Sequence, residues 1–575
     1  MNLTKVTDNT HEMSFHELLS QSAQLQIPLF QREYVWTDKQ LTRMLNELDA
    51  VIDGEDANRF LGAVIGVRRA SNPAAPQIFE LVDGQQRLTT LYLLVVAAAY
   101  VSAKNGDDDY ASGLVNTSLV LTWWQNGSNT KLVPSYSDRA QLNIVFSHLF
   151  NAGKLSDWLS VKTKLPERSG KDSGKLTNQF DRIRKILQKR YKDFGVEHIQ
   201  NLVEAATTKL TFVFILLRDP SNATTVFKGL NDPGIPIGIG DLIRNEVFSK
   251  VSEKPEEAFS IHRDYWLPFR TKLGDYFDNY FFPFSIIYEP ATKNADLFLE
   301  LQKIWKGDDH DPKDIIDKLD EYSEEYLALC SNRYPDSYDK KVVTKLKDLR
   351  SANNPSSTFP FLMKVLKEYK KERLSFSQVV DILDGIESFL VRRALCGIEP
   401  TGLLVMFRTL WNTIKHNPTK QELFNVINKR STIEWPDNEK LINSIQSRSI
   451  YSGHIAKYVI LQYEKSLNAD FPEIADPWIE HILPQKLNQD WAKIFTKEEH
   501  EKYVHTWGNL IPLSSQMNQS LSQNIYDVKK STISKDSMYA TGRRLAEDYV
   551  IWNEESIKQR NKILADWAIL RWKRQ

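Results

Sequence analysis

The sequence predicts a mostly helical α+β chain of several domains, and three observations carry that prediction. Its 575 residues exceed what one core organises, since domains run to roughly 150 residues each. Strand-like apolar runs concentrate in the first 220 residues and return near 476–514. Between them the apolar residues recur at helical spacing. The composition shifts place domain boundaries at 1–250, 251–450 and 451–575.

The elements follow in order. After "IPLFQREYVW", Thr37 with Gln40 three positions on makes a capping box, and Leu41, Met44, Leu45, Leu48 and Ile52 form one helical face. "FLGAVIGVRR" (Phe60 to Arg69) and "QIFELVD" (Gln77 to Asp83) read as buried strands around a Ser-Asn-Pro-Ala-Ala-Pro turn. From Leu88 to Val203 the pattern is helical, broken by a polar loop near Lys162 to Lys175. "KLTFVFILL" (Lys209 to Leu217) is another buried strand, and Ser221 to Phe248 reads as helix, Gly/Pro loop, helix. Residues 255–450 are helical and aromatic-rich, with no catalytic-looking cluster. "DPWIEHILP" (Asp476 to Pro484) is strand-like, "TWGNLIPLS" (Thr506 to Ser514) turns into a strand, and "SSQMNQSLS" opens a polar helix at a Ser cap. Ile557, Leu564, Trp567 and Leu570 mark a closing amphipathic helix that also carries Lys558, Arg560, Lys562, Arg571, Lys573 and Arg574.

Composition narrows the class. Hydrophobic residues are 41% and charged residues 26%, an ordinary globular mix. Lys plus Arg (74) balances Asp plus Glu (74), so a polyanion must be held by a local basic surface. Cys330 and Cys396 are the only cysteines, which argues against a disulfide framework or a cysteine-ligated zinc and suits a reducing cytoplasm. "MNLTKVTDNTHEM" lacks an apolar signal region, and the apolar run Leu88 to Val101 is short for a bilayer. The expectation is a soluble cytoplasmic protein with no membrane partner.

Two clusters carry chemistry. In "LVDGQQRLTTLYLLV" a strand ends in a glycine turn and feeds a helix, which gathers unpaired N–H groups and the positive end of the helix dipole at one point. Gly84 permits the turn, Arg87 can fork onto phosphate, Gln85 and Gln86 offer donors and acceptors, and Asp83 can hold a ribose hydroxyl or a metal. The group suits a phosphorylated ligand; the plainer alternative is that Asp83 caps the helix and the amides face solvent. Gln31 and Arg32 form a polar pair in an apolar segment. Tyr34 and Trp36 beside them are candidates to stack on a base, although such aromatics are more often core.

The second cluster is Glu480-His481 at a strand end, Asn509 in a turn and Asn518 at a helix start, a candidate β-β-metal-helix unit. A histidine can deprotonate water for attack on phosphorus while a carboxylate or amide oxygen holds Mg²⁺ against the scissile phosphate. Lys529 can then contact substrate phosphate. A histidine that only satisfies a backbone carbonyl is the competing explanation. His500 and His505, five apart, do not share a helix face and are not taken as zinc ligands.

With both clusters in view, "IPLFQREYVW", "FLGAVIGV", "FELVDGQQRLTTLYLL" and "DLIRN", followed by "IEHILPQ" and "WGNLIPLSSQMNQSLS", resemble the GmrSD family of type IV, modification-dependent restriction enzymes, as a single-chain fusion over residues 15–250 and 450–570. The resemblance implies a ParB/sulfiredoxin-like N-terminal domain whose DGQQR motif binds and hydrolyses a nucleotide, a helical middle, and a C-terminal HNH (His-Me finger) nuclease. It implies Gln31, Arg32, Asp83, Gly84, Gln85, Gln86 and Arg87 as nucleotide-binding. His481 is then the general base, Asn509 the residue that sets its geometry, Asn518 the amide near the metal, Lys529 a further catalytic group and Glu480 a direct or water-bridged metal ligand. The implied cofactors are Mg²⁺ or another divalent metal and GTP or ATP. The implied partner is double-stranded, modified phage DNA, with self-association left open. Extra Gly and Pro in "NDPGIPIGIGDLIRN" depart from the family pattern and make Asp241, Arg244 and Asn245 weaker candidates for the site. Three rivals stand beside this expectation: a nuclease governed by phosphorothioate marks on host DNA, a self-targeting nuclease that kills the infected host, and a non-catalytic DNA-binding sensor.

Overall fold

A computed structural model describes the chain except residues 1–6, 21–22, 29–30, 55–57, 70–73, 156–161, 218–237, 252–253, 306–310, 452, 454, 469–476, 522 and 575. It is mostly helical with a mixed sheet. The chain divides into two compact units, residues 1–271 with 310–316, and residues 272–309 with 317–575.

The first unit is built on six strands, β1 (Thr7–Ser14), β2 (Ala23–Gln26), β3 (Arg59–Arg68), β4 (Gln77–Asp83), β5 (Leu132–Val133) and β6 (Leu210–Leu217), in the order β1-β6-β3-β4-β2-β5. β3 and β6 are parallel while β3 and β4 are antiparallel. The strands expected at Phe60, Gln77 and Lys209 are β3, β4 and β6, whose continuous apolar runs suit a sheet covered on both faces. β1, β2 and β5 lie in polar or very short stretches that periodicity does not flag. Helix α1 (Asp38–Ile52) begins at Thr37 as expected, with Gln40 Oε1 accepting from Thr37 N at 3.0 Å, and it buries Leu41, Met44, Leu45 and Leu48.

Helix α2 (Gln85–Lys104) is the centre of this unit. Every side chain from Leu88 to Ala103 is buried, with helix α3 (Lys175–Glu204) packed along it. At 20 residues it is longer than the apolar run Leu88 to Val101 implied, and long and apolar enough to cross a membrane, yet 94% of its apolar window is buried within the fold. The helix and Gly/Pro loop expected over residues 221–237 lie outside the described residues; helix α4 (Ile239–Ser249) follows them.

Among its described residues the second unit is helical apart from an antiparallel pair, β7 (Trp478–His481) and β8 (Leu510–Leu513), in which Glu480 faces Ile511 and His481 faces Leu510. Helices α5 (Lys340–Ser351), α6 (Phe376–Leu395), α7 (Asn438–Ser447) and α8 (Ile455–Leu467) precede the pair, and α9 (Ser515–Leu521), α10 (Tyr526–Asp536) and α11 (Glu554–Arg571) follow it. One apolar cluster joins Val391, Leu395, Ile445 and Val459 to Trp507, Leu510, Leu564 and Trp572. A second holds Ile482, Trp491, Ile511, Leu513, Tyr526, Ile533 and Trp552 beneath the strand pair.

The closing helix α11 corrects the sequence reading in two places. Leu570 is 67% exposed, whereas Arg560 is buried and donates to the carbonyls of Gly508 (2.5 Å) and Leu510 (3.0 Å). The buried face is Ile557, Arg560, Asn561, Leu564, Ala565 and Ala568, so a guanidinium that satisfies strand carbonyls replaces an expected apolar contact.

Glu387 of α6 is the polar hub of this unit. Fully buried, it accepts from Tyr458 Oη and Trp572 Nε1, both at 2.8 Å, and pairs with Arg571 Nη2 at 2.7 Å and Lys345 Nζ at 3.1 Å. Removing the carboxylate leaves Tyr458 Oη and Trp572 Nε1 without their acceptor and Lys345 and Arg571 with only their remaining carboxylate partners, and Glu387→Ala is expected to destabilise the unit by about 3 kcal/mol. Leu570→Ala should stay within about 0.5 kcal/mol, as exposed positions do. Denaturant midpoints of the two variants check both values.

Candidate functional site

The N-terminal cluster starts where β4 stops. Gly84 takes φ +84°, and a Cβ there would come within 2.7 Å of Val64 Cγ2, so both conformation and space require glycine. The next two side chains turn inward. Gln86 is buried and holds the segment 33–35, its Oε1 accepting from Val35 N (2.8 Å) and its Nε2 donating to Glu33 O (3.3 Å). Gln85 is buried as well, and among the described residues its Oε1 has no hydrogen-bond partner.

Arg87 was expected to fork onto phosphate, and the structure engages it elsewhere. Its guanidinium donates to Leu61 O and to Ala63 O (3.0 Å) and lies 3.8 Å from Asp83 Oδ2. The two carbonyls flank an irregularity in β3, where the register against β6 shifts between Phe60 and Ala63 and Gly62 takes φ +94°. Arg87 therefore serves carbonyls that the bulge withdraws from the ladder.

Gln86 also brings the QR element against the first turn of α2. Gln31 is buried there, and Arg32 reaches Asp241 Oδ2 at 3.9 Å, while Arg244 Nη2 lies 2.7 Å from Asp241 Oδ1. α4 thus presents Asp241 to Arg32, with Arg244 paired to the same carboxylate. Burial pushes the Arg244 guanidinium down to about 10, against the pull of Asp241. Tyr34 belongs to the core and is unavailable to stack on a base: its hydroxyl bonds Thr90 Oγ1 at 2.7 Å, and Trp36 packs on the same core.

Sequence reasoning missed Asp138, whose chain distance from the QR element hides its role. Its carboxylate accepts from Tyr34 N (2.7 Å), Ser135 Oγ (3.1 Å) and Gln141 Nε2 (3.2 Å), a second tie on the segment that Gln86 holds.

The C-terminal cluster does converge. Glu480, His481, Pro484, Gln485, Asn518 and Gln519 line a cleft of about 350 Å³. Asn509 is fully buried beneath it and makes four side-chain bonds: Oδ1 accepts from Leu483 N (2.7 Å) and Trp552 Nε1 (3.2 Å), and Nδ2 donates to Leu483 O (2.9 Å) and Val504 O (2.8 Å). It pins the chain leaving β7 to the chain entering β8. Gly508 is needed beside it because a Cβ would strike Asn561 Oδ1 and Ile557 O, both at 2.7 Å.

His481 is buried, and burial, with His505 and Lys529 adding to it, pushes its imidazole down to about 3. It is held as the neutral ring that a general base requires. Its Nε2 lies 3.1 Å from His505 Nδ1, and its Nδ1 is 3.4 Å from Gln485 Nε2. His505 is the second functional residue that sequence reasoning missed, because helical spacing says nothing about a contact across a turn. His500 bonds Pro484 O at 2.8 Å and stands apart from the cleft lining.

Lys529 was expected at substrate phosphate, but it is fully buried. Its ammonium donates to Glu480 Oε1 (2.6 Å) and to His481 O (2.7 Å), and burial lowers its pKa against the pull of Glu480. Burial in turn raises the Glu480 carboxyl, against the pull of Lys529. Lys529 thus orients the end of β7 from behind.

The donors facing the cleft are hard oxygens and one imidazole. The described residues contain no group of three or more His, Cys, Asp and Glu able to hold a metal. Asn518 Oδ1, however, is buried at the cleft with no hydrogen-bond partner among them. An orphaned amide oxygen near one carboxylate fits a cation that keeps most of its water, as Mg²⁺ does.

Comparison with known proteins supplies the class, an enzyme that acts on DNA. Family models for the GmrSD restriction endonuclease N-terminal domain and C-terminal domain match residues 15–248 and 435–567. The chain belongs to the GmrSD family of restriction endonucleases, and its partner is DNA. Comparison with the curated proteins finds no match.

Two outcomes test the N-terminal geometry. Gly84→Ala should cost about 1–3 kcal/mol from overpacking against Val64, with left-handed strain added. Burial pushes the Asp138 carboxyl from 3.8 up to about 6, so the folded state binds this proton more tightly than the unfolded chain. Stability from this group is therefore greatest below pH 3.8 and falls as pH rises toward 6, by roughly 3 kcal/mol in all. Denaturation of wild type and Asp138→Asn across that range should show the slope in the former and its loss in the latter.

Proposed function

We propose that the protein is a defence endonuclease that cuts modified, double-stranded phage DNA by Mg²⁺-dependent hydrolysis, under control of a GTP- or ATP-type ligand bound in its first unit. On this reading the second unit carries an HNH-type nuclease and the first a ParB/sulfiredoxin-like fold. The observation that carries the proposal is the neutral His481 set beside the unpartnered Asn518 Oδ1 in one cleft.

His481 takes the proton from the attacking water, since a buried neutral imidazole offers a lone pair at ordinary pH. Glu480 and Asn518 would hold Mg²⁺, which when bound supplies charge stabilisation at the scissile phosphate. Lys529 keeps Glu480 and the His481 backbone in place from the buried side, and Asn509 fixes the loop that carries Leu483 and the Pro484 turn. Positioning of this kind, done by buried groups before substrate arrives, leaves less to reorganise during the reaction.

In the first unit the phosphates of a nucleotide would meet the N–H groups at the start of α2 and the Arg32 side chain. Gln86 and Arg87 shape that place rather than touch the ligand, because their polar groups already serve the backbone. Nucleotide binding would influence cleavage only as far as it favours one arrangement of the protein over another.

Purified protein would be assayed on unmodified, glucosylated hydroxymethylcytosine and phosphorothioate-marked DNA, with Mg²⁺ or with chelator, and with or without GTP or ATP. Cleavage should require Mg²⁺ and favour the glucosylated DNA, and His481→Ala should lower its rate by about 10²–10⁴-fold, the usual contribution of a general base. Arg32→Ala should lose nucleotide turnover while its fold is kept. Cleavage triggered by phosphorothioate marks would move the assignment to that alternative, and DNA binding without cleavage on every substrate would leave the non-catalytic sensor.

A further inference from the structure

His505 stands outside the cleft lining yet touches the one imidazole inside it. The contact fixes more than a position. An amide nitrogen can only donate, so the Gln485 Nε2 contact at 3.4 Å suits a lone pair on His481 Nδ1. A neutral imidazole with its lone pair on Nδ1 carries its proton on Nε2. That proton is directed at His505 Nδ1, 3.1 Å away, which must accept it.

We infer that His505 is a positioning residue of the nuclease site, holding His481 as the Nε2–H tautomer so that the Nδ1 lone pair faces the cleft, where the attacking water takes the place of the Gln485 amide. The reverse arrangement, with His505 donating, would place the His481 proton on Nδ1 against the Gln485 amide, donor facing donor. Imidazoles that act as bases or ligands have their tautomer set by the bond their other nitrogen makes. Here a second histidine makes that bond.

The surroundings hold His505 still enough to do so. Tyr451 stacks on its ring, 5.3 Å between centroids and 8° from parallel, and meets the edge of His481 at 4.3 Å and 72°. Tyr451 Oη also accepts from Gln485 Nε2 at 3.3 Å, so one tyrosine braces both residues that touch the His481 ring. The backbone is tied as well, with Ile450 N donating to His505 O at 3.0 Å and Lys529 Nζ to His481 O at 2.7 Å.

The inference rests on His481 being the general base, and the experiment separates the two. Full-length protein labelled with ¹⁵N-histidine is observed by long-range ¹H–¹⁵N spectra, with His481 assigned by its absence in His481→Ala, while single-turnover DNA cleavage is measured on the same samples. Wild type should show His481 protonated on Nε2. His505→Ala should mix or reverse that tautomer and slow cleavage by about 10- to 100-fold, the usual effect of losing such an orienting partner, with little change in KM. His505→Asn, which keeps an acceptor oxygen near the lost Nδ1, should recover the tautomer and most of the rate even where His505→Ala folds poorly. A His481 protonated on Nδ1 in wild type overturns the inference. So does a tautomer or a cleavage rate that is the same in His505→Ala as in wild type. If His481→Ala cleaves normally, the general-base assignment fails, and the tautomer measurement still decides what His505 does.

Discussion

A buried backbone N–H or C=O that finds no partner costs about 1–3 kcal/mol, and both candidate sites are irregular segments that must meet this demand without a ladder of neighbours. The protein meets it with side chains. Gln86 closes on Glu33 and Val35, Arg87 on the carbonyls beside the β3 bulge, and Asn509 on both edges of the excursion between β7 and β8. Arg560 and Asn561 do the same for Gly508 and Leu510 from the closing helix. The residues that look most chemical in these motifs are therefore largely occupied in holding backbone. The groups left over are Gln85 Oε1 at one site and Asn518 Oδ1 at the other.

Burial of charge follows the same logic. Lys529 and Glu480 form an ion pair at the end of β7, and Glu387 gathers Arg571, Lys345, Tyr458 and Trp572. Such groups add little net stability over an apolar packing. Their use is directional, since a carboxylate with several donors accepts only one arrangement of them. The closing helix is placed by this means: its Arg571 lies just beyond the family's C-terminal match, and Glu387 lies well before it begins. The part of the second unit that resembles no matched domain thus anchors the end of the one that does.

Much of this was readable along the chain. The turn at Gly84, the capping box at Thr37, the strands β3, β4 and β6, and the strand-turn-strand-helix order from Trp478 to Leu521 all rest on neighbours within a few residues, where local sterics and periodicity decide. What escaped involves contacts over long chain separations or across turns. Asp138 meets Tyr34 from 104 residues away, Asp241 meets Arg32, and His505 meets His481 across the excursion. β1, β2 and β5 escaped for a related reason, because a polar or two-residue strand is defined by the partner it pairs with.

By itself the sequence determined the residue types and their local order: a glycine turn into a helix bearing amides and an arginine, and a Glu-His strand end followed by two asparagines. It did not determine which of those side chains face a ligand. Arg87 and Lys529 have the chemistry to meet phosphate, and only the tertiary structure sends them to backbone carbonyls and a buried carboxylate instead. The reason is that desolvation and partner satisfaction depend on what the fold brings within about 3 Å of a polar atom, and that distance is set by packing, not by position in the chain.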